Sequence, residues 1–249
     1  MSSANLLEVR DVRKTFGGLV ANDAISIDVP RGGIVGLIGP NGSGKTTLFN
    51  SIVGTHGVDS GSVRFDGRDL SHLGMPEVAR LGLLRTYQQA HVYDGMTSLA
   101  NMQISTSHAS EPIAAMLHRF PAEVTDQALH LLEFVGLAAM RDEVAGNLSF
   151  GQRKLLELAM ALMNEPKMLL LDEPTAGINP TLINSVIDRL QRANASLGIT
   201  LLVIEHNMRV IMGLAHHIYC LAHGKVLAAG SPDEIRNDRR VIDAYLGAR

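Results

Sequence analysis

The chain has 249 residues, 46% of them hydrophobic, 19% charged and 4% aromatic, with 24 Gly, 9 Pro, one Cys and no Trp, enough apolar content for one well-buried domain. Its 22 Lys and Arg against 25 Asp and Glu leave a net charge of −3, with no basic stripe to neutralise a phosphate backbone, which argues against nucleic acid as the main partner. A lone cysteine closes no internal disulfide, no Cys/His cluster has zinc-finger spacing, and no apolar run approaches the ~18 residues of a membrane span. The charged opening is unlike a signal peptide, and the composition fits a reducing, cytosolic compartment. Mean hydropathy is nonetheless +0.12, which calls for strands buried on both faces and for surface that docks on something.

Residues 6–12 read as a first strand. Residues 24–29 alternate apolar and polar with period two before the turn Pro30-Arg31-Gly32-Gly33, predicting an antiparallel strand with one wet face. Residues 34–38 form a continuous apolar run, then a glycine-rich loop, then helical spacing over 46–53; strand, loop and helix open a buried α/β unit. Residues 61–65 return to strand, and 75–140 are mostly helical in composition, broken by Pro112 and Pro121. Two apolar strands, 168–171 and 199–204, flank a helix begun near Pro180 that places Leu182, Val186 and Leu190 on one face. Residues 217–222 and 225–229 form a closing hairpin, and Ser231-Pro232-Asp233-Glu234 starts a capped helix. The expected architecture is a single α/β domain over 1–249: a parallel core sheet with an antiparallel β-subdomain from 1–85 and 165–249, and a helical subdomain inserted over 86–164.

Gly39-Pro40-Asn41-Gly42-Ser43-Gly44-Lys45-Thr46 fits G-x-x-x-x-G-K-S/T, the P-loop, and lies between the predicted strand and helix. Glycines let backbone amides converge on phosphate oxygens, and the helix N-terminus adds partial positive charge. Lys45 is expected at the β- and γ-phosphates and Thr46 at Mg²⁺. Asp172 and Glu173 end a buried strand. Beside a P-loop, Asp172 becomes a carboxylate of the Mg²⁺ shell and Glu173 is placed to polarise the attacking water.

Together with Leu148-Ser149-Phe150-Gly151-Gln152, these segments resemble the ATP-binding cassette family over nearly the whole chain. Residues 39–46 look like its Walker A, 148–152 like its signature and 168–174 like its Walker B. Thr86-Tyr87-Gln88 corresponds to the Q-loop, Ala176-Gly177-Ile178-Asn179 to the D-loop and Glu205-His206 to the switch histidine, while Phe16 falls where the family stacks an aromatic on adenine. The resemblance implies a P-loop ATPase that binds ATP and Mg²⁺. Two cassettes pair head to tail, so that Ser149, Gly151 and Gln152 of one meet the γ-phosphate held by Gly39 to Thr47 of the other. Gln88 contacts Mg²⁺ or the lytic water, and His206 holds the γ-phosphate and helps orient water near Glu173. Phe150 stands where the signature commonly has Gly, and Asn179 where the D-loop commonly has an acid.

Residues 16–21, 176–180, 204–208, 234–238 and 244–247 further resemble the ATP-binding subunits of bacterial branched-chain amino acid importers. That likeness implies a peripheral protein on the cytoplasmic face of the inner membrane. Its partners are integral-membrane permease subunits, a second cassette and, indirectly, a solute-binding protein. Docking is expected over 89–102, where Val92, Tyr93, Met96, Leu99 and Met102 offer apolar anchors. The alternative is a non-transport cassette ATPase acting on DNA or ribosomes; one cassette without sustained heptads speaks against it, and the signature and switch histidine oppose a metabolic P-loop kinase. Cys220 reads as a buried small hydrophobe, His216 and His217 as surface or satisfied histidines, and Met160 and Met163 as core.

Overall fold

The computed structural model describes residues 5–86, 92–106 and 120–246. In chain order its strands are β1 (Asn5–Phe16), β2 (Leu19–Pro30), β3 (Ile34–Ile38), β4 (Ser60–Phe65), β5 (Arg68–Asp69), β6 (Leu83–Arg85), β7 (Met168–Asp172), β8 (Thr200–Ile204), β9 (His217–Ala222) and β10 (Lys225–Gly230). The α-helices are α1 (Lys45–Ile52), α2 (Met75–Arg80), α3 (Ser98–Ile104), α4 (Ala122–Phe134), α5 (Phe150–Leu162), α6 (Pro180–Leu197), α7 (Met208–Leu214), α8 (Pro232–Asn237) and α9 (Arg239–Leu246). The chain divides into two compact units. One comprises Met1–Arg85, Lys167–Thr175 and Leu190–Arg249; the other comprises Thr86–Pro166 and Ala176–Arg189. Residues 176–189, which the sequence reading assigns to the core, therefore group with the helical unit, and α6 contributes to both.

The first unit holds two sheets. An antiparallel one runs β2-β1-β4-β5, and a six-stranded one runs β10-β9-β3-β8-β7-β6, parallel except for the β9–β10 hairpin. Every residue of β3, β7 and β8 is buried, as continuous apolar runs covered on both faces must be. The two sheets and α1 share one core, in which Phe49 and Phe65 are wholly enclosed beside Leu7, Ile25, Leu37 and Leu170; each such side chain contributes ~1.5–3 kcal/mol of burial. In β1 and β2, shifts of register fall near Asp11 (φ +48°) and Ala24 (φ +56°), bulges that explain why so long a hairpin is not cleanly periodic in sequence.

The stretch read as mostly helical over 75–140 contains β6, three residues paired in parallel with β7. Such a strand is too short to show a period, and its entry is set by Gly82 at φ +93°, a turn no periodicity reports. In the second unit α3, α4 and α5 are the principal helices among the described residues. Asn101, fully buried, donates to the carbonyls of Tyr93 (3.1 Å) and Thr97 (3.0 Å) and accepts from the Tyr93 amide (2.7 Å), fixing the loop that leads into α3.

Candidate active site

Because β7, β8 and β3 are parallel neighbours, their C-terminal ends open on one edge of the sheet, where ligands of open α/β folds bind. Leu37, Ile204 and Asp172 stand in one row across the three strands. The next residues are therefore brought together: the loop 39–44 after β3, Glu173 after β7, and Glu205 and His206 after β8. The Glu173 amide also donates to the Ile204 carbonyl at 2.9 Å.

The loop after β3 is shaped to receive an anion. Gly39, Gly42 and Gly44 have φ of +145°, +77° and +101°, and a Cβ on Gly44 would lie 2.4 Å from the Ala21 carbonyl oxygen. Gly44 stands at the N-cap of α1 with no side-chain cap, leaving the helix start to an external acceptor. The Ser43 hydroxyl is buried and has no hydrogen-bond partner among the described residues, an orphan that a phosphate oxygen would satisfy. Lys45 Nζ folds back on the carbonyls of Gly39 (2.8 Å) and Pro40 (3.0 Å). Burial pulls its ammonium below the ordinary 10.5, with the Glu173 and Asp172 carboxylates acting in the opposite direction. Added negative charge beside Lys45 relieves that cost of burial. Thr46 is exposed on the first turn of α1 and Thr47 is half-buried.

Asp172 is paired with Arg85 at 2.7 Å, both side chains nearly enclosed. The same guanidinium donates to Asn50 of α1 and lies over the Phe49 ring. Glu173 has φ +51°, an uncommon backbone state for a non-glycine residue that marks a position held by its surroundings. Its Oε1 lies 2.8 Å from Nε2 of His206. Behind this pair, Glu205 is 2% exposed. Its carboxylate accepts from the Thr175 amide (3.1 Å) and hydroxyl and from the amides of His206 (2.9 Å) and Asn207 (3.0 Å). One buried anion thus ties the chain after Glu173 to the backbone of His206.

Phe16, at the end of β1, is 48% exposed and meets the His56 ring edge to face at 5.4 Å. Asp59 fixes the approach to it, accepting from the Thr15 amide and hydroxyl (2.6 Å each) and from Lys14 (3.0 Å). These hydrogen bonds, led by that of the Thr15 hydroxyl, bring the Asp59 carboxyl down to about 2.

In the second unit Ser149 caps α5 and forms a reciprocal box with Gln152: the Gln152 amide donates to the Ser149 hydroxyl, and the Ser149 amide to Gln152 Oε1 at 2.8 Å. Ser149 is exposed and Gly151 buried. A Cβ on Gly151 would stand 3.0 Å from Leu182 Cδ1, a close contact that the leucine tip would have to relieve. The exposed Phe150 ring lies against Gly177, where a Cβ would be 3.1 Å from Phe150 Cε1. Asn179 turns inward on its own loop, accepting from the amide and hydroxyl of Thr181. Gln88 and Gln89 lie outside the described residues.

Several expectations are corrected. Met102 is fully buried and offers no docking anchor, whereas Tyr93 (59%) and Met96 (38%) are exposed. Val186 and Leu190 are buried as their spacing implies, but Leu182 is 37% exposed, because it sits on the opening turn of α6. Met163 is buried and Met160 only half so. Cys220 is buried, its thiol pushed up to about 11 by desolvation, and His216 Nδ1 accepts from the Ile34 amide. Arg85 is not among the residues singled out in the sequence, and Glu205 is named there only beside His206. Only Glu205, an acid directly after an apolar strand, left a signal that could have been followed.

Comparison with known proteins adds an independent line. A family model described as "ABC transporter" matches residues 22–176, and one described as "Branched-chain amino acid ATP-binding cassette transporter" matches 225–249. The chain is 38% identical over 248 residues to the probable branched-chain amino acid transport ATP-binding protein LivG of Archaeoglobus fulgidus, covering 98% of this chain and 96% of that one. It is 36% identical over 252 residues to the high-affinity branched-chain amino acid transport ATP-binding protein BraF of Pseudomonas aeruginosa, covering 98% and 99%. Among solved structures it is similar to a nucleotide-free ATP-binding cassette from an ABC transporter, with TM-score 0.86, 34% identity and coverage of 97% and 99%. It is similar also to the ADP conformation of an ATP-binding cassette of an ABC transporter, with TM-score 0.85, 33% identity and coverage of 98% and 99%.

Proposed function

This chain belongs to the ABC transporter family, and from that premise we propose that it drives uptake of branched-chain or closely related amino acids, with Glu173 and His206 as the hydrolytic pair. The general function is that of the ATP-hydrolysing subunit of an ABC importer, which binds nucleotide, pairs with another cassette and works with membrane permease subunits. The cargo rests on the names of the two relatives and on the match of residues 225–249. No helix among the described residues is long and apolar enough to cross a membrane; the path for the solute is assigned to the permease subunits with which such cassettes work. A place on the cytoplasmic face of the membrane follows from that division of labour.

The observation that carries the mechanism is the 2.8 Å contact between Glu173 and His206, at the same sheet edge as the glycine loop. Phosphoryl transfer asks mainly for positioning and charge stabilisation. Lys45 and the amides of 39–47 hold the phosphates, Phe16 offers its face to the adenine, Glu173 accepts a hydrogen bond from the attacking water, and His206 reaches the γ-phosphate while keeping Glu173 oriented. Ser149, Gly151 and Gln152 of a second cassette complete the site, the N-terminus of α5 bringing its partial positive charge to anionic oxygen.

The residues also fit Mg²⁺. Mg²⁺ characteristically takes one or two carboxylates plus phosphate and water oxygens, and the Asp172 carboxylate at the end of β7 and the exposed Thr46 beside the glycine loop are donors of that kind. Thr46, Asp172 and Gln88 would hold it. When bound, it neutralises charge on the transferring phosphoryl group.

Tyr93 and Met96 are the exposed anchors proposed for a permease helix. The DNA- or ribosome-acting alternative finds no support in these relatives. Co-expression with candidate permease subunits, followed by purification in detergent and uptake of labelled leucine into liposomes, tests the reading. ATP-dependent uptake supports it; recovery with ribosomes or DNA and no integral-membrane partner contradicts it.

A further inference from the structure

The phosphate loop is held from behind by three contacts from distant parts of the chain. Asn22 Nδ2 donates to the Gly44 carbonyl at 3.0 Å, the Gly224 amide donates to the Ser43 carbonyl at 3.2 Å, and the Gly39 amide donates to the Tyr245 hydroxyl at 2.9 Å. Tyr245 lies on α9, the last helix described, and 206 positions separate it from Gly39.

Gly39 opens the loop directly after β3. Its φ is +145°, and the Leu221 carbonyl oxygen lies 2.1 Å from where a Cβ would stand, so no side chain of its own can brace it. Its carbonyl accepts from Lys45 while its amide is taken by Tyr245, and the two peptide units flanking its Cα are thereby fixed from opposite sides. Burial pushes the Tyr245 hydroxyl up to about 12, so it stays neutral and available as an acceptor throughout the working pH range. Around it, Asp243 and Ala244 of α9 line a cavity with Pro40, Asn41, Gly42 and Ser43. The Tyr245 side borders a groove with Met208 and Met212 of α7, the helix that begins two residues after His206. The C-terminal helix therefore touches the phosphate loop and lies beside the helix that follows the switch histidine.

We propose that Tyr245 is a positioning residue for nucleotide binding, its hydroxyl holding Gly39 in the conformation that presents Lys45 and the following amides to the phosphates. This rests on the reading of residues 39–47 as the nucleotide cradle. Without the hydroxyl the loop must be ordered by the nucleotide itself, so the loss falls on binding rather than on the chemical step.

The test compares the full-length wild type with Tyr245→Phe, which keeps the ring and its packing, and with Lys45→Ala. Equilibrium binding of a fluorescent ATP analogue, ATPase kcat and KM, and the melting temperature without nucleotide are measured on each. Tyr245→Phe is expected to raise the Kd and KM for ATP about fivefold, the size of one neutral hydrogen bond, with kcat within about twofold of wild type. A merely structural hydroxyl would lower the melting temperature and leave Kd unchanged, and that result overturns the proposal. If Lys45→Ala abolishes binding and Tyr245→Phe does not weaken it, the Tyr245 assignment alone fails; if Lys45→Ala binds as wild type, the cradle reading fails with it.

Discussion

Nε2 of His206 lies 2.8 Å from Oε1 of Glu173, although the two residues follow different strands, and Glu173 has an uncommon positive φ. The pairing follows from the sheet. β7 and β8 are parallel neighbours with Asp172 opposite Ile204, so residues one or two beyond that row share a small space. Glu205 supports the pair from behind, accepting from the amides of Thr175 and His206.

Glu205 is therefore expected to matter without touching nucleotide. Its carboxylate faces only donors, and Glu205→Gln turns one of its oxygens into a competing donor. We expect a stability loss of ~1–3 kcal/mol, the cost of unsatisfied buried groups, and a kcat lower by about tenfold as His206 and Glu173 drift apart. Thermal melts and steady-state kinetics check both. Wild-type kcat in Glu205→Gln would remove Glu205 from the support of the pair.

Gly44→Ala is expected to abolish nucleotide binding. A Cβ there meets the Ala21 carbonyl oxygen at 2.4 Å and Asn22 Nδ2 at 2.5 Å, on a backbone at φ +101°, so both space and conformation forbid it. Gly18→Ala is the control: nothing lies within 4 Å of its Cβ, and its effect on stability is expected within about 0.5 kcal/mol. Nucleotide titrations of the two variants decide, and equal affinity in both would contradict the account of the loop.

Asp59 gives a pH dependence. Its carboxyl sits at about 2 in the folded chain against an ordinary 3.8, so between those values the unfolded chain binds more proton than the folded one. Its stabilising effect is fully present above 3.8 and is lost as pH falls through about 2. Asp59→Asn should melt below wild type near neutrality, with the gap closing toward pH 2. A gap that does not change with pH would show that the hydrogen bonds to Thr15 and Lys14 do not depend on the charge.

The head-to-tail arrangement is tested in trans. Ser149→Arg and Lys45→Ala each disable a homodimer, but a mixed dimer contains one composite site that escapes both substitutions. Mixing the two proteins should restore ATPase activity toward a fraction of the wild-type rate. Mixtures as inactive as the separate variants would contradict the assignment of Ser149 to the partner's nucleotide.

What the sequence disclosed was local. The buried strands β3, β7 and β8 announce themselves as unbroken apolar runs, and the glycine loop between strand and helix carries its purpose in its spacing. The capped start of α8 is written in Ser231 and Glu234, which the structure joins as a reciprocal box. Arg85, Asn22 and Tyr245 act through contacts made only after folding; Tyr245 meets Gly39 across 206 positions, and no window on the sequence spans that distance. Leu182 and Met102 show the other limit. Helical spacing gives a face, but whether that face is covered depends on neighbours that spacing does not name.

Hydrolysis of ATP at this sheet edge is proposed to run through Glu173. The most direct measurement is single-turnover phosphate release by wild type and Glu173→Gln at saturating ATP, with nucleotide affinity measured in parallel. Glu173→Gln should bind ATP as the wild type does and release phosphate slower by 10²-fold or more, on the order of 3 kcal/mol of barrier. Phosphate release by Glu173→Gln at the wild-type rate would contradict it.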